Sequence, residues 1–382
     1  MNELIMLPGP TPVTPESLQA QSKQIIGHRV KAFSELLTRV TNNLKKVFMT
    51  KNDVLIFPAS GTGGLEIAIV NCLSVGDKIL SIGNGVFAER FREIAKINNI
   101  EVISLDFPRG KSCNYNKIKD CLSSNPDLKA VLFTHNETST GVQNNVKKIG
   151  EFLKNHSALL LVDAVSSLGG IPLKTDEWGA DVVITSSQKA LMTPPGLAIL
   201  SVSKNAWNEI EKSSTPKFYW DLTKAKNYYN NRKQTPYTPA VSLIYALDKA
   251  LINILNEGLN NVFKRHKVLT RSFRKGMKEL GFKPFVPWSI ASYTVSAFKQ
   301  REDIEFNKFK KHLLNNYKLY FTGGQQDLKN DIFRVGHMGY INPDNILQAV
   351  ERFGCTLQDF NIQCNIDSAI ATTSDIIKGG NL

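Results

Sequence analysis

The chain has 382 residues, 42% of them hydrophobic and 21% charged, and a formal net charge of +13. That length exceeds one compact core and that apolar content excludes a disordered chain, so two domains are expected. The cysteines, at 72, 113, 121, 355 and 364, form no CxxC pair and have no histidine at ligand spacing, which disfavours disulfides, a zinc site or an iron–sulfur cluster; no metal is expected.

The N-terminus, MNELIMLPGP, lacks a basic segment followed by an apolar one, and no apolar run approaches the ~18 residues of a membrane span. A soluble, cytoplasmic protein without membrane association is expected. The excess of lysine and arginine would attract anions. These residues are scattered along helical stretches such as RHKVLTRSFRKGMKEL (265–280), however, without an aromatic-interleaved RNA motif or a zinc finger. A solvated basic surface is the simpler reading, and no nucleic-acid partner is expected.

From residue 53 to about 203, short apolar runs alternate with amphipathic segments: DVLIFP (53–58), KILSIG (78–83), EVISLDF (101–107), KAVLFTH (129–135), ALLLVDA (158–164), DVVITSS (181–187) and LAILSVS (197–203). Continuous apolar runs separated by helical patterns predict a mostly parallel seven-stranded sheet with helices on both faces, an α/β fold. The last connection, KALMTPPG (189–196), is too short for a crossover helix, so the final pair is predicted antiparallel. A long basic helix (259–280), the run SYTVSAF (292–298), a helix at 303–316, FRVGHMG (333–339) and a helix at 342–354 predict a smaller α+β domain. The layout is then an N-terminal arm (1–20), a large domain (21–258), a small C-terminal domain (259–365) and a tail (366–382) whose weak periodicity suggests disorder.

Ligands of open α/β sheets bind at the carboxyl ends of strands, so polar residues just past each apolar run are the candidates. The first run leads into Ser60, Gly61, Thr62, Gly63 and Gly64 and then a helix, a turn suited to an anion or simply to a helix cap. It matches neither GxxxxGK[ST] nor GxGxxG, which disfavours a nucleotide site. The second run leads to Phe87, either core packing or a platform for a planar ligand. The fourth leads into HNETSTGV, with Thr138, Ser139 and Thr140 ahead of a glycine. The fifth ends in Asp163, a carboxylate in what should be the dry centre of the sheet, and the sixth ends in Gln188 and Lys189.

An anion turn, an aromatic, a buried Asp and a buried Lys at one sheet edge fit one cofactor, pyridoxal 5'-phosphate. Its aldehyde forms a Schiff base with a lysine, its phosphate suits the glycine turn, and its ring nitrogen suits a carboxylate. On that reading Lys189 holds the aldehyde and later shuttles a proton, Asp163 faces the ring nitrogen, and Phe87 stacks on the ring.

These residues closely resemble class V, fold-type I pyridoxal-phosphate enzymes of the alanine/serine–glyoxylate (serine–pyruvate) aminotransferase group. The matching segments include LPGPTPV (7–13), ASGTGGLE (59–66), NGVFAERF (84–91), HNETSTGV (135–142), LVDAVSSLGGIPL (161–173), SSQKALMTPPGL (186–197), TPYTPAVSLIYAL (235–247) and FRVGHMGYI (333–341). The resemblance implies that Ser60, Gly61, Thr62 and Gln188 contact the phosphate and that Thr140 lies near the ring's 3-hydroxyl edge. It implies further that Thr235 and Thr238 reach the phosphate of a neighbouring subunit in a homodimer, and that Arg334 binds the substrate carboxylate with its planar fork. Phe87 stands where some relatives carry Trp, Thr235 where some carry Tyr, and Ala88 where glycine is common.

The implied reaction moves the amino group of alanine or serine to glyoxylate or pyruvate by a ping-pong route. Aspartate or a ureido-amino acid as donor would use the same machinery. A cysteine desulfurase needs a nucleophilic cysteine, and the loop FTGGQQDLKN (321–330) has none. A non-catalytic basic scaffold would have no use for Lys189, Asp163 and Arg334 together.

Overall fold

Each central run of apolar residues becomes a strand because its side chains alternate between two dry faces. The structure, a computed structural model, describes residues 2–380. The strands are β1 (Asp53–Pro58), β2 (Lys78–Gly83), β3 (Glu101–Asp106), β4 (Ala130–Thr134), β5 (Leu159–Asp163), β6 (Val182–Ser186) and β7 (Leu197–Val202). They form one sheet in the order β1-β7-β6-β5-β4-β2-β3. In β5, Leu160 and Val162 enter the core lined by helix α1 (Lys31–Phe48), whereas Leu159 and Leu161 enter the core lined by α2 (Gly61–Cys72). The edge strand β3 keeps exposed polar positions at Glu101, Ser104 and Asp106.

β2 to β6 run parallel, and β7 runs antiparallel to both β6 and β1, as the short 189–196 connection requires. The carboxyl ends of β1, β2, β4, β5 and β6 therefore share one edge of the sheet. Helix α3 (Val86–Ile97) follows β2 directly, and α4 (Val241–Glu257) packs against α1.

The second unit begins with α5 (Leu259–Glu279) and contains the antiparallel sheet β8-β10-β9, formed by β8 (Val295–Lys299), β9 (Thr322–Gly323) and β10 (Ile332–Gly336). Helices α6 (Phe306–Tyr317) and α7 (Pro343–Asp359) cover it. Its core is rich in phenylalanine, with Phe333 stacked against Phe298 and Phe306 at 5.5 and 5.7 Å between ring centroids. The N-terminal arm belongs to this core: Leu4–Ile5 pairs in parallel with Leu319–Tyr320, and Leu4 and Met6 are buried among the phenylalanines. Past Met6, the arm crosses to the edge of the large sheet. Among the described residues no helix is long and apolar enough to cross a membrane.

The tail departs from expectation. Ile366–Gly379 is not disordered but forms a helix, α8, capped by Asn365, whose side chain accepts from Ser368 N at 2.9 Å. Its buried stripe is Ala369, Thr373 and Ile377, one residue per turn, set against α5 and α7. Gly276 on α5 leaves the space that Thr373 fills. A stripe so narrow, with a threonine in the middle, gives little periodic signal. Residues 381 and 382 of the expected tail lie outside the described residues. Ile377→Ala should therefore cost about 2 kcal/mol, measurable as a lower denaturation midpoint with an unchanged slope; no shift would show that α8 is not docked.

Candidate active site

The site is built where β5 and β6 end side by side. Asp163 closes β5 at 3% exposure, and one carboxylate oxygen accepts from Val165 N at 2.9 Å. No salt bridge reaches it among the described residues. Burial pushes its carboxyl up to about 7, and Glu137 adds to this, against the Val165 N–H and the more distant Lys189 and Arg90.

Lys189 follows β6 in a pinned turn. Ser187 Oγ donates to Pro194 O at 2.7 Å and accepts from Leu197 N at 3.2 Å, so the turn cannot drift. Lys189 Nζ donates to Pro8 O, and Thr11 Oγ1 donates to the Lys189 carbonyl at 3.0 Å. The lysine side chain lies directly over Gly9, where a Cβ would come within 2.7 Å of Cδ and nearer still to Nζ. This explains the glycine of LPGPTPV, a motif whose role the sequence left open. Burial lowers the amine to about 8; Asp163 acts in the opposite direction, and Arg334 and Arg90 lower it further.

The anion turn opens α2 immediately after β1, with Ser60 Oγ accepting from Gly63 N at 3.4 Å. Gly61 is required by closeness: a Cβ would stand 2.7 Å from Val165 Cγ2 and 3.2 Å from Ser186 Oγ, at the exits of β5 and β6. Phe87 is positioned by a device that sequence reasoning missed. Glu137, fully buried, accepts from Phe87 N and Ala88 N at 3.2 Å each and from Ser139 N at 3.0 Å. It caps α3 from another loop, where Gly85 has no side chain to do so.

One cleft joins these parts. Ser60, Gly61, Thr62, Phe87, Asp163, Gln188 and Lys189 line it, together with Arg90, Thr138 and Ser166. Thr140 does not. Its Oγ1 turns back toward Glu137 O at 3.4 Å, because the backbone reverses between Glu137 and Gly141, and Thr138 takes the lining position instead, bonded to Ser166 Oγ at 2.6 Å. Thr235 and Thr238 also lie elsewhere, in an apolar groove beside β1 with Tyr219 and Tyr237.

Arg334, on β10, reaches the cleft edge from the second unit. Its Nε donates to Gly323 O at 3.0 Å, and Nη1 to Thr138 O at 3.2 Å and Gln325 Oε1 at 3.3 Å. Nη2 makes no hydrogen bond to a described residue, so the fork offers one free nitrogen rather than two. Burial lowers this guanidinium to about 10, partly offset by Glu137.

Two buried atoms have no partner here, Gln188 Oε1 in the cleft and Ser186 Oγ behind Gly61. A helix N-terminus and a buried amine suit an anionic, carbonyl-bearing ligand, and the orphaned amide oxygen and the buried carboxylate suit a donor group on the same ligand. This is the arrangement of an enzyme that works through a buried lysine.

The class-V aminotransferase family model matches residues 16–326. An L-aspartate–glyoxylate aminotransferase of Paracoccus denitrificans is 34% identical, covering 97% of this chain and 95% of its own. A serine–glyoxylate aminotransferase of Methylorubrum extorquens is also 34% identical, covering 98% and 96%. The crystal structure of ureidoglycine–glyoxylate aminotransferase from Bacillus subtilis superposes with a TM-score of 0.95 at 27% identity, over 99% of this chain and 98% of that one. The chain belongs to the class-V aminotransferase family, whose members are generally pyridoxal-phosphate-dependent.

Two outcomes follow from burial. Reductive alkylation of Lys189 by an aldehyde and borohydride, read by peptide mass spectrometry, should rise with pH through a midpoint near 8 rather than near 10.5. Asp163→Asn should stabilise the ligand-free protein at pH 8 by roughly 2–4 kcal/mol. A carboxyl raised to about 7 on folding carries a cost that grows as pH rises from about 4 to 7 and is absent below, so the two proteins should converge near pH 4. Equal stability at both pH values would show that Asp163 is not desolvated.

Proposed function

We propose that the chain is a pyridoxal-phosphate aminotransferase that moves the amino group of a small amino acid, alanine or serine, to glyoxylate or pyruvate. The observation that carries this reading is the meeting of Lys189, Asp163 and the Ser60–Thr62 turn in one cleft. The relatives named above differ in amino donor but share glyoxylate in their names, which supports glyoxylate as acceptor.

Bound pyridoxal phosphate would supply an aldehyde for the substrate amine and a protonated ring that draws electrons from the substrate α-carbon. Ser60, Gly61, Thr62 and Gln188 would hold the phosphate, and Phe87 would cover one ring face. Asp163 holds the proton of the ring nitrogen, since a cation beside this dry carboxyl keeps it ionised. Lys189 Nζ would hold the cofactor's aldehyde carbon and, once freed by the substrate amine, would be the base for the proton on the substrate α-carbon. An amine lowered to about 8 suits that task near neutral pH, because little free energy separates its charged and free forms. Arg334 binds the substrate carboxylate through its free Nη2.

The same reading includes a homodimer in the cytoplasm. Thr235 and Thr238, away from the cleft of their own chain, reach the phosphate of the neighbouring one. The 75% exposure of Phe218, in the aromatic cluster with Tyr237, supports coverage by a second copy.

Lys189→Ala should lower kcat at least about 100- to 10,000-fold, and Arg334→Ala should raise KM for the amino acid about 10- to 100-fold with little effect on cofactor retention. Mixing the cofactor-loaded protein with single amino acids and following the visible absorbance identifies the donor; full activity of Lys189→Ala would overturn the assignment.

A further inference from the structure

Lys189 and Arg334 have tasks in the proposed reaction, but Arg90, a third cation of the same cleft, has none. It lies three residues beyond Phe87 on α3, on the same helix face. Its guanidinium carbon stands 4.8 Å from the Phe87 ring centroid, and Nη1 donates to Thr62 Oγ1 at 3.3 Å. No carboxylate forms a salt bridge with it among the described residues. A half-buried arginine with no salt bridge among the described residues, its guanidinium over one aromatic ring and Nη1 on Thr62 at a helix N-terminus, is set up for an anion between itself and that turn. Gln188 lines the same cleft with a buried Oε1 that has no partner among the described residues, so the cleft lacks a hydrogen-bonding ligand, and its Nε2 is the group that could donate to an anion.

The neutral donors of the turn, Ser60, Gly61, Thr62 and Gln188, supply hydrogen bonds but no charge. Lys189 and Arg334 are committed to the aldehyde and the substrate carboxylate. A phosphate dianion in a cleft of limited dielectric gains most from a planar cation at its side. The position of the stacking ring and that of the cation are coupled, because both ride on the first turns of α3, which Glu137 fixes.

We propose that Arg90 is a phosphate-binding residue of the cofactor site, with one guanidinium face packed on Phe87 and its edge donating to the phosphate held at the Ser60–Thr62 turn. This rests on the pyridoxal-phosphate reading above. The test is equilibrium titration of the cofactor-free protein with pyridoxal 5'-phosphate and, separately, with pyridoxal, which lacks the phosphate. Arg90→Gln should weaken pyridoxal phosphate about 10- to 100-fold, the range for one lost hydrogen bond to a charged group, and change pyridoxal less than about threefold. Arg90→Lys, which keeps the charge, should recover part of the loss. In the wild type, inorganic phosphate should compete with pyridoxal phosphate more strongly than it does in Arg90→Gln.

Equal weakening of both aldehydes would overturn the proposal and leave Arg90 as a prop for Phe87. Unchanged affinity for pyridoxal phosphate would overturn it as well. A wild-type protein that captures neither aldehyde would instead defeat the cofactor reading itself, and the proposal with it.

Discussion

Two ionisable groups taken out of water at the ends of adjacent strands set the terms for everything around them. Desolvation alone would favour neutral forms of both Asp163 and Lys189, and it moves the carboxyl up to about 7 and the amine down to about 8. Their protonation equilibria thus lie at and just above neutrality, close enough that a proton can be held or released at small cost. Parallel pairing of β5 with β6 is what brings them to the same edge. The reversal into β7 then keeps Lys189 within a short turn, where a long crossover helix would have carried it away over one face of the sheet.

Such a site can persist only if its surroundings are rigid, and the close approaches around it show how that is achieved. Gly9 lies under the lysine, Gly61 against Val165, and Gly85 against the side chain of Glu137. Each permits a backbone segment to sit where a side chain would hold it off. Arg109 ties the two units together, with Nη2 donating to Glu89 of α3 at 2.9 Å and Nε to Asp327 at 2.7 Å. Asp327 is two residues from Gln325, which holds Arg334. The helix that carries Phe87 and the loop that steadies Arg334 are therefore also joined through Arg109.

Asp163 and Lys189 were legible in the sequence because each breaks a pattern with a physical cause. A charge at the end of a run buried on both faces is costly, so its presence asks for a reason. The two-sided burial that makes the runs continuous also made the sheet legible, and the length of 189–196 gave the antiparallel strand. Thr138 and Thr140 were not separable, because within TST the choice depends on where the backbone reverses, and that is fixed by bonds to Glu137. Arg90 leaves no such mark, because on the helix Val86–Ile97 a charged position has the same period whether it faces cleft or solvent. The Pro8 carbonyl that meets Lys189 is a backbone group and leaves no mark in residue identity.

The distribution of cations also bears on which amino acid the cleft suits. Arg334 has Nε and Nη1 engaged with Gly323, Thr138 and Gln325, so its free Nη2 matches one carboxylate group. A donor with a second carboxylate needs another cation near the first. Arg90 does not meet that need, because it bonds Thr62 at the opposite, anion-turn end of the cleft. Arg109 does not either, being already paired with Glu89 and Asp327. Within one chain the groups facing the substrate end are hydroxyls and amides such as Thr138, Ser166 and Gln325. Those groups can hydrogen-bond a short polar side chain or stand clear of a methyl, and neither requires a countercharge. Within this chain, then, Arg334 offers one carboxylate-sized site, and the neighbouring groups named here are uncharged.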